Sequence, residues 1–304
     1  MEWVKLTRIF SPDRNYEWMV SHAANPFAVH LTGDIFRIYF TSRDAKNRSF
    51  IGFADVDFAN SYKVINISDK PVLSPGELGM FDDSGTALGC IMQVGSKTFL
   101  YYLGWNLKVT VPWLNTIGLA IYNEEKKCFE KYSRAPLLDR SNEDPFSISY
   151  PGVLYDSGKY KMWYGSNLAW GSTQDQMQHV IKYAESDNAI DWKRKNQVVL
   201  GFQYENEYAL SKPFVLKTNS GFEMWYSFRG NGNIKTYRIG YATSDDGLNW
   251  TRRDKEAGID VSKNEWDSEM ICYPSILSYK NQTFLLYNGN GYGKTGFGIA
   301  LLEQ

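Results

Sequence analysis

Residues 213–226 read PFVLKTNSGFEMWY and residues 151–164 read PGVLYDSGKYKMWY. Each is an alternating run, a short turn rich in Gly, Asn or Ser, and a second run, which is the pattern of a β-hairpin. The same register returns as PFAVHLTGDIFRIY from Pro26 and PSILSYKNQTFLLY from Pro274, with a divergent copy, GCIMQVGSKTFLYY, from Gly89. The closing tyrosines, Tyr39, Tyr102, Tyr164, Tyr226 and Tyr287, are spaced by 63, 62, 62 and 61 residues. A near-constant period of this length marks a repeat architecture, and the strand period of two excludes a helical solenoid.

A third strand follows each hairpin as IGFA, IGLA, IKYA, IGYA or FGIA, ending at Ala54, Ala120, Ala184, Ala242 and Ala300. A more polar fourth strand opens near Tyr62, Cys128, Trp192 and Trp250, but only four residues follow Ala300. The segment Trp3-Val4-Lys5-Leu6 resembles the other fourth strands and completes the last unit. The expected fold is therefore all-β: a five-bladed β-propeller of four-stranded antiparallel blades, its ring closed by the N-terminal strand in the last blade. One domain spans residues 1–304, with blades near 18–70, 80–140, 144–202, 207–260 and 267–304 plus strand 2–10.

The chain carries 33 Lys and Arg against 34 Asp and Glu, a net charge of −1, so no nucleic-acid or membrane partner is expected. No run approaches the roughly 20 apolar residues of a membrane span, and the start lacks a secretory core, so a cytoplasmic protein is expected. Cys90, Cys128 and Cys272 are far apart and the chain has only three histidines, so free thiols, no structural metal and no cofactor are expected. Oligomeric state is not encoded in any of these patterns.

In such a fold the loop before each first strand and the loop joining the second and third strands share one rim, and residues just before each proline face the central channel. The first set of loops offers His22 and Asn25, Asp82 and Asp83, Asp144 and Tyr150, Glu207 and Lys212, and Asp267, Glu269 and Tyr273. The second set offers Arg43 and Asp44, Trp105 and Asn106, Asn167 and Trp170, Arg229, and Asn288, Asn290 and Tyr292. Acids and amides suit sugar hydroxyls and indole or phenol rings suit sugar faces, so a small carbohydrate or sugar-phosphate ligand is expected. His30 and His179 read as structural.

With Asn25-Pro26, YFTSRD at 39–44, MWYS at 224–227 and ATSDDGLNW at 242–250, the whole chain resembles the five-bladed glycoside hydrolase superfamily of arabinanases, β-xylosidases, invertases, levansucrases and mannoside phosphorylases. The resemblance implies a carbohydrate-active enzyme of hydrolase or phosphorylase type acting on a glycosidic bond, the sugar carrying an anionic group; the alternative is a repurposed propeller that binds a glycan or nucleotide-sugar. Two carboxyl groups are the usual machinery, so Asp82, Asp83, Glu207 and Glu269 are the catalytic candidates. The general acid is expected among the first three, with Glu269 orienting a hydroxyl. His22, Asn25, Arg43, Asp44, Trp105, Asn106, Asn167, Lys212, Arg229, Tyr273 and Asn290 are the candidate substrate-binding residues. Asn25 departs from the family's aspartate at that place. Either His22 or Asp44 substitutes for it, or inorganic phosphate, held by Arg43 and Arg229, replaces the second carboxylate.

Overall fold

Turn chemistry punctuates the chain at short intervals. In the hairpin Asp156–Lys159 both turn residues, Ser157 and Gly158, have positive φ, as do Lys280 and Asn281 between Tyr279 and Gln282. These two-residue loops match the twist of the strands they join. A computed structural model describes residues 1–12, 16–171, 177–232 and 234–303, and the chain is nearly all β.

Among the described residues, twenty strands pair into five four-stranded antiparallel units. The first contains β2 (Ser21–Thr32), β3 (Ile35–Arg43), β4 (Ser49–Asp57) and β5 (Lys63–Ile67). The second contains β6 (Gly85–Val94), β7 (Lys97–Leu107), β8 (Trp113–Asn123) and β9 (Cys128–Lys131). The third contains β10 (Ile148–Asp156), β11 (Lys159–Ala169), β12 (Gln178–Ser186) and β13 (Trp192–Leu200). The fourth contains β14 (Ala209–Thr218), β15 (Gly221–Arg229), β16 (Arg238–Ser244) and β17 (Thr251–Arg252). In the fifth, β18 (Cys272–Tyr279), β19 (Gln282–Asn288) and β20 (Phe297–Leu302) are joined by β1 (Trp3–Phe10), which pairs with β20 so that Lys5 faces Ala300.

Apolar side chains fill the spaces between successive units. Tyr39, Leu100 and Tyr102 share one core, Tyr101, Met162 and Ala184 the next, and Trp163, Tyr183 and Phe222 a third. Trp3, Trp225 and Tyr287 join the fourth unit to the fifth, and Phe10, Phe40 and Phe297 join the fifth to the first. The alanines at 54, 120, 184, 242 and 300 are fully buried, as close sheet packing requires.

A second repeating contact pins each connecting loop to the unit it enters. Asp82 pairs with Lys131 at 2.6 Å, Asp144 with Arg194 at 3.1 Å, Glu207 with Arg252 at 2.6 Å, and Asp267 with Lys5 at 2.6 Å. Each cation stands on the fourth strand directly opposite the repeat alanine: Lys131 opposite Ala120, Arg194 opposite Ala184, Arg252 opposite Ala242 and Lys5 opposite Ala300. The repeat tyrosine donates to the same group: Tyr102 to Asp82 at 3.0 Å, Tyr164 to Asp144 at 2.8 Å and Tyr287 to Asp267 at 3.1 Å. Tyr226 donates instead to Asp254, which Arg252 ties to Glu207. Burial first, and the neighbouring carboxylate second, push the Tyr102 and Tyr287 phenols far above their ordinary range, so they stay proton donors. The first unit replaces this polar lock with hydrocarbon: Ile67 faces Ala54, and fully buried Met19 stands where the acid would be.

Two outcomes follow from this packing. Deleting residues 1–10 removes buried Trp3 and Phe10 and strips β20 of its partner on one edge, so thermal unfolding shifts sharply downward or soluble protein is lost; unchanged unfolding would contradict the pairing role. Replacing Arg252 with Met leaves Glu207 and Asp254 buried without their cation and lowers stability by about 3–5 kcal/mol, measured by urea unfolding. A loss below 1 kcal/mol would show that the lock is dispensable.

Candidate ligand cavity

The first strand of every unit breaks its pairing register at the same place, between Ala24 and Phe27, Leu88 and Cys90, Ser149 and Gly152, Ser211 and Phe214, and Cys272 and Ser275. In four of them the residue before the proline has left-handed backbone: Asn25 at φ 55°, Tyr150 at 40°, Lys212 at 54° and Tyr273 at 56°. Proline has no N–H to give the ladder and tolerates a bulge, and the bulge re-aims the preceding side chain. Asn25, Tyr150 and Tyr273 thereby reach a cavity of about 480 Å³ to which all five first strands contribute, with Ala87 and Ser211 supplying the other two. Lys212 turns instead to the carbonyl of Gly89 and is buried; desolvation lowers its pKa to about 8.

Arg229, at the end of β15, is the dominant charge on this cavity. It is only 4% exposed, and its Nη1 donates to the Tyr292 hydroxyl at 2.8 Å. The guanidinium lies 4.6 Å from the centroid of the Tyr237 ring and 5.0 Å from that of Tyr208. Burial opposes its charge, but the surrounding phenols more than offset this and keep it protonated. Its Nε is buried with no hydrogen-bond partner among the described residues, as is Oδ1 of Asn25. Arg43 lines the opposite side and donates to Asn47 at 3.1 Å.

Two histidines complete the polar lining. His179 is the second residue of β12, where Asn167 faces it across the ladder and Oδ1 of Asn167 meets its Nδ1 at 2.8 Å. Because that oxygen only accepts, the ring proton sits on Nδ1 and Nε2 carries a free lone pair. Burial, then the charge of Arg229, lowers the His179 pKa to about 3. His22, at φ 64°, holds Ser21 Oγ at 2.9 Å, and burial followed by the charges of Arg43 and Lys294 lowers its pKa to about 4. Trp105, fixed by its N–H to Ser49 Oγ at 2.8 Å, and Trp113, edge-on to Trp170, add two indoles.

Of the residues expected from sequence, His22, Asn25, Arg43, Trp105, Asn167, Arg229 and Tyr273 line this one cavity. The four catalytic candidates do not line it. Asp82 and Glu207 are buried in the loop locks with Lys131 and Arg252. Asp83 accepts from Ser84 Oγ and the Gly79 N–H, and Glu269 is an exposed loop residue whose N–H donates to Asn290 Oδ1 at 2.8 Å. Asp44 caps its own turn and pairs with Arg48 at 2.8 Å, Asn106 donates to the Met80 carbonyl, and Asn290 braces the Glu269 backbone. These three and Lys212 also stand outside the lining.

His179, expected to be structural, faces the cavity, as do Tyr150, Tyr237 and Tyr292. The reading followed loops and passed over the cavity-side ends of the third strands; the cross-strand partner of Asn167 would have pointed to His179. Among the described residues no carboxylate lines the cavity.

Comparison with known proteins places this geometry in context. The chain is 48% identical, over all of its 304 residues and the full length of each relative, to the uncharacterized proteins Rv1502 and MT1551 from two strains of Mycobacterium tuberculosis. It belongs to their family. No family model matches the chain. Among solved structures, a glycoside hydrolase superposes with a TM-score of 0.76 at 16% identity, covering 98% of this chain and 90% of that one. A structure from the GH130 family of mannoside phosphorylases, described as containing glycoside hydrolases that target β-1,2 mannosidic linkages in Candida mannan, gives 0.75 at 14% identity, covering 99% and 93%. A thermostable family-43 glycoside hydrolase gives 0.67 at 17%, covering 94% and 90%. At these identities the likeness shows a shared propeller-like glycoside hydrolase fold, and no helix among the described residues is long and apolar enough to cross a membrane.

The depressed histidines set a pH signature. A group whose pKa falls from 6.5 to about 4 on folding binds its proton more readily in the unfolded chain, so stability is full above 6.5 and declines as pH falls toward 4. A His22→Gln variant should show a shallower loss of melting temperature across that window than the parent. Identical slopes for the two proteins would remove His22 from this account.

Proposed function

We propose that the five units are the blades of a five-bladed β-propeller closed by β1, forming one domain, and that its axial cavity receives an anionic sugar on whose glycosidic bond the protein acts. The observation that carries this reading is Arg229: a guanidinium 4% exposed, with an unpartnered Nε, in a cavity whose other cation is Arg43. A buried cation without an anion is expensive to maintain, and a phosphate or carboxylate supplies the missing acceptor with a planar match. Around it the lining offers what a sugar ring needs. Trp105 and Trp113 present apolar faces, while Asn25, Asn115 and Asn167 present amides to hydroxyls. The fold shared with glycoside hydrolases supports the carbohydrate class.

A second reading, binding of a glycan or nucleotide-sugar without cleavage, is favoured by one observation: Asp82 and Glu207 are committed to loop locks. Isothermal titration against sugar phosphates and uronic acids, each paired with its neutral sugar, tests the shared part of both. The anionic member binds more tightly, and Arg229→Ala weakens it by about 1.5–3 kcal/mol. Equal affinity for neutral and anionic partners would overturn the anionic-sugar reading, and product analysis with and without inorganic phosphate separates cleavage from binding.

A further inference from the structure

Two groups flank one guanidinium. The backbone of β14 holds His179 and Arg229 on its two sides, since Ala209 pairs with His179 in one direction and with Arg229 in the other. The Tyr292 hydroxyl is 2.8 Å from Arg229 Nη1. A base with a free Nε2 lone pair and a phenol therefore flank the same cation. This constellation matches a reaction other than hydrolysis. In a glycosidically linked uronic acid, the carbon bearing the carboxylate also bears a hydrogen, and the neighbouring carbon bears the glycosidic oxygen. Neutralising the carboxylate acidifies that hydrogen, so the base that removes it must stand beside the carboxylate's cation.

Resting on the anionic-sugar reading above, we propose that the cavity cleaves a 4-linked uronate by β-elimination, with Arg229 holding the carboxylate, His179 as the base and Tyr292 as the proton donor. His179 Nε2 takes the proton from C5, and the C5–H electron pair becomes the second bond between C4 and C5. The C4–O bond breaks with its electron pair leaving on oxygen, which takes the Tyr292 proton. The resulting phenolate is stabilised by the Nη1–H of Arg229, and solvent returns the proton from His179 to Tyr292. No water is added and no oxidant or metal is called for. The Arg229 guanidinium, on the cavity lining, donates to the carboxylate, and the Asn25 side chain on the same lining offers its amide to a sugar hydroxyl. Burial is the first cause that depresses His179 and the field of Arg229 the second; a bound carboxylate offsets the second and strengthens the base by that part.

The full-length protein incubated with oligomers of galacturonate, glucuronate and mannuronate tests this. With at least one of them, ultraviolet absorbance of a carboxylate-conjugated C4=C5 bond should rise, and product masses should sum to the substrate's without added water. His179→Gln and Tyr292→Phe should each slow that rise about 100-fold or more, while calorimetry shows the uronate still bound and circular dichroism shows the fold intact. Rates unchanged in both variants overturn the assignment. Binding of uronates without unsaturated product, or cleavage that adds water, overturns elimination and leaves the anionic-sugar reading standing, as does binding of sugar phosphates alone. Failure to bind any anionic sugar overturns both.

Discussion

The buried bridge from each connecting loop to the fourth strand of the unit it enters is the contact on which the remaining geometry depends. Each of Asp82, Asp144, Glu207 and Asp267 ends a loop that leads from one unit's outer strand to the next unit's first strand. A loop of that length is loosely determined by its own backbone. Anchoring it to a cation opposite a buried alanine fixes the level at which the next first strand begins. The pair itself adds little net stability once desolvation is counted, and its role is registration: an unpaired acid at this depth would be far more costly than a misplaced methyl group.

Register matters because the bulge in each first strand is only useful if all five fall at one height. A bulky residue in left-handed backbone is strained, and Tyr150 and Tyr273 accept that strain where pairing on both flanks over-determines it. The return is that side chains which would alternate into the sheet stand in the cavity instead. Asn25 is held further by Asn288, whose Oδ1 accepts the Asn25 N–H at 2.7 Å and whose Nδ2 donates to the carbonyls of Ala23 and Gly296. Rigidity beneath the cavity thus comes from backbone hydrogen bonds of two different units.

The repeat was legible because a period of two within a period near 62 leaves tyrosine, proline and alanine in fixed places, and each has a physical reason to recur. The same regularity obscured the site. Asp82, Asp144 and Asp267 all stand 20 residues before a repeat tyrosine, so they belong to the repeat as much as the prolines do. Read one loop at a time, an acid near a channel resembles a catalytic group; read across the units, each of these acids holds a cation of the fourth strand. Residues that break the repeat line the cavity: His22 and Tyr292 have no counterpart of the same type in the other units, and Arg229 shares the last place of a second strand only with Arg43. His179 was hidden because it lies inside a strand, and only the pairing of β11 with β12 shows which end faces the cavity.

A chain with a net charge of −1 can still present a cationic interior, and the locks explain how. They bind four acids to cations within the units, where each pair contributes almost nothing to the field on the axis. Arg43 and Arg229 have no such partners, so their field is focused by low-dielectric walls of Tyr237, Tyr273 and Trp105 into a volume of about 480 Å³. Burial first, and this field second, hold the histidines of the cavity neutral, while burial keeps the Tyr237 and Tyr273 phenols protonated, for Tyr237 against the pull of Arg229. An anion that enters meets donors from every side, with neutral bases ready to respond once it screens the guanidinium. In the elimination proposed above, the charge that would recognise the ligand and the base that would act on it are therefore coupled through Arg229, on top of the burial that both groups share.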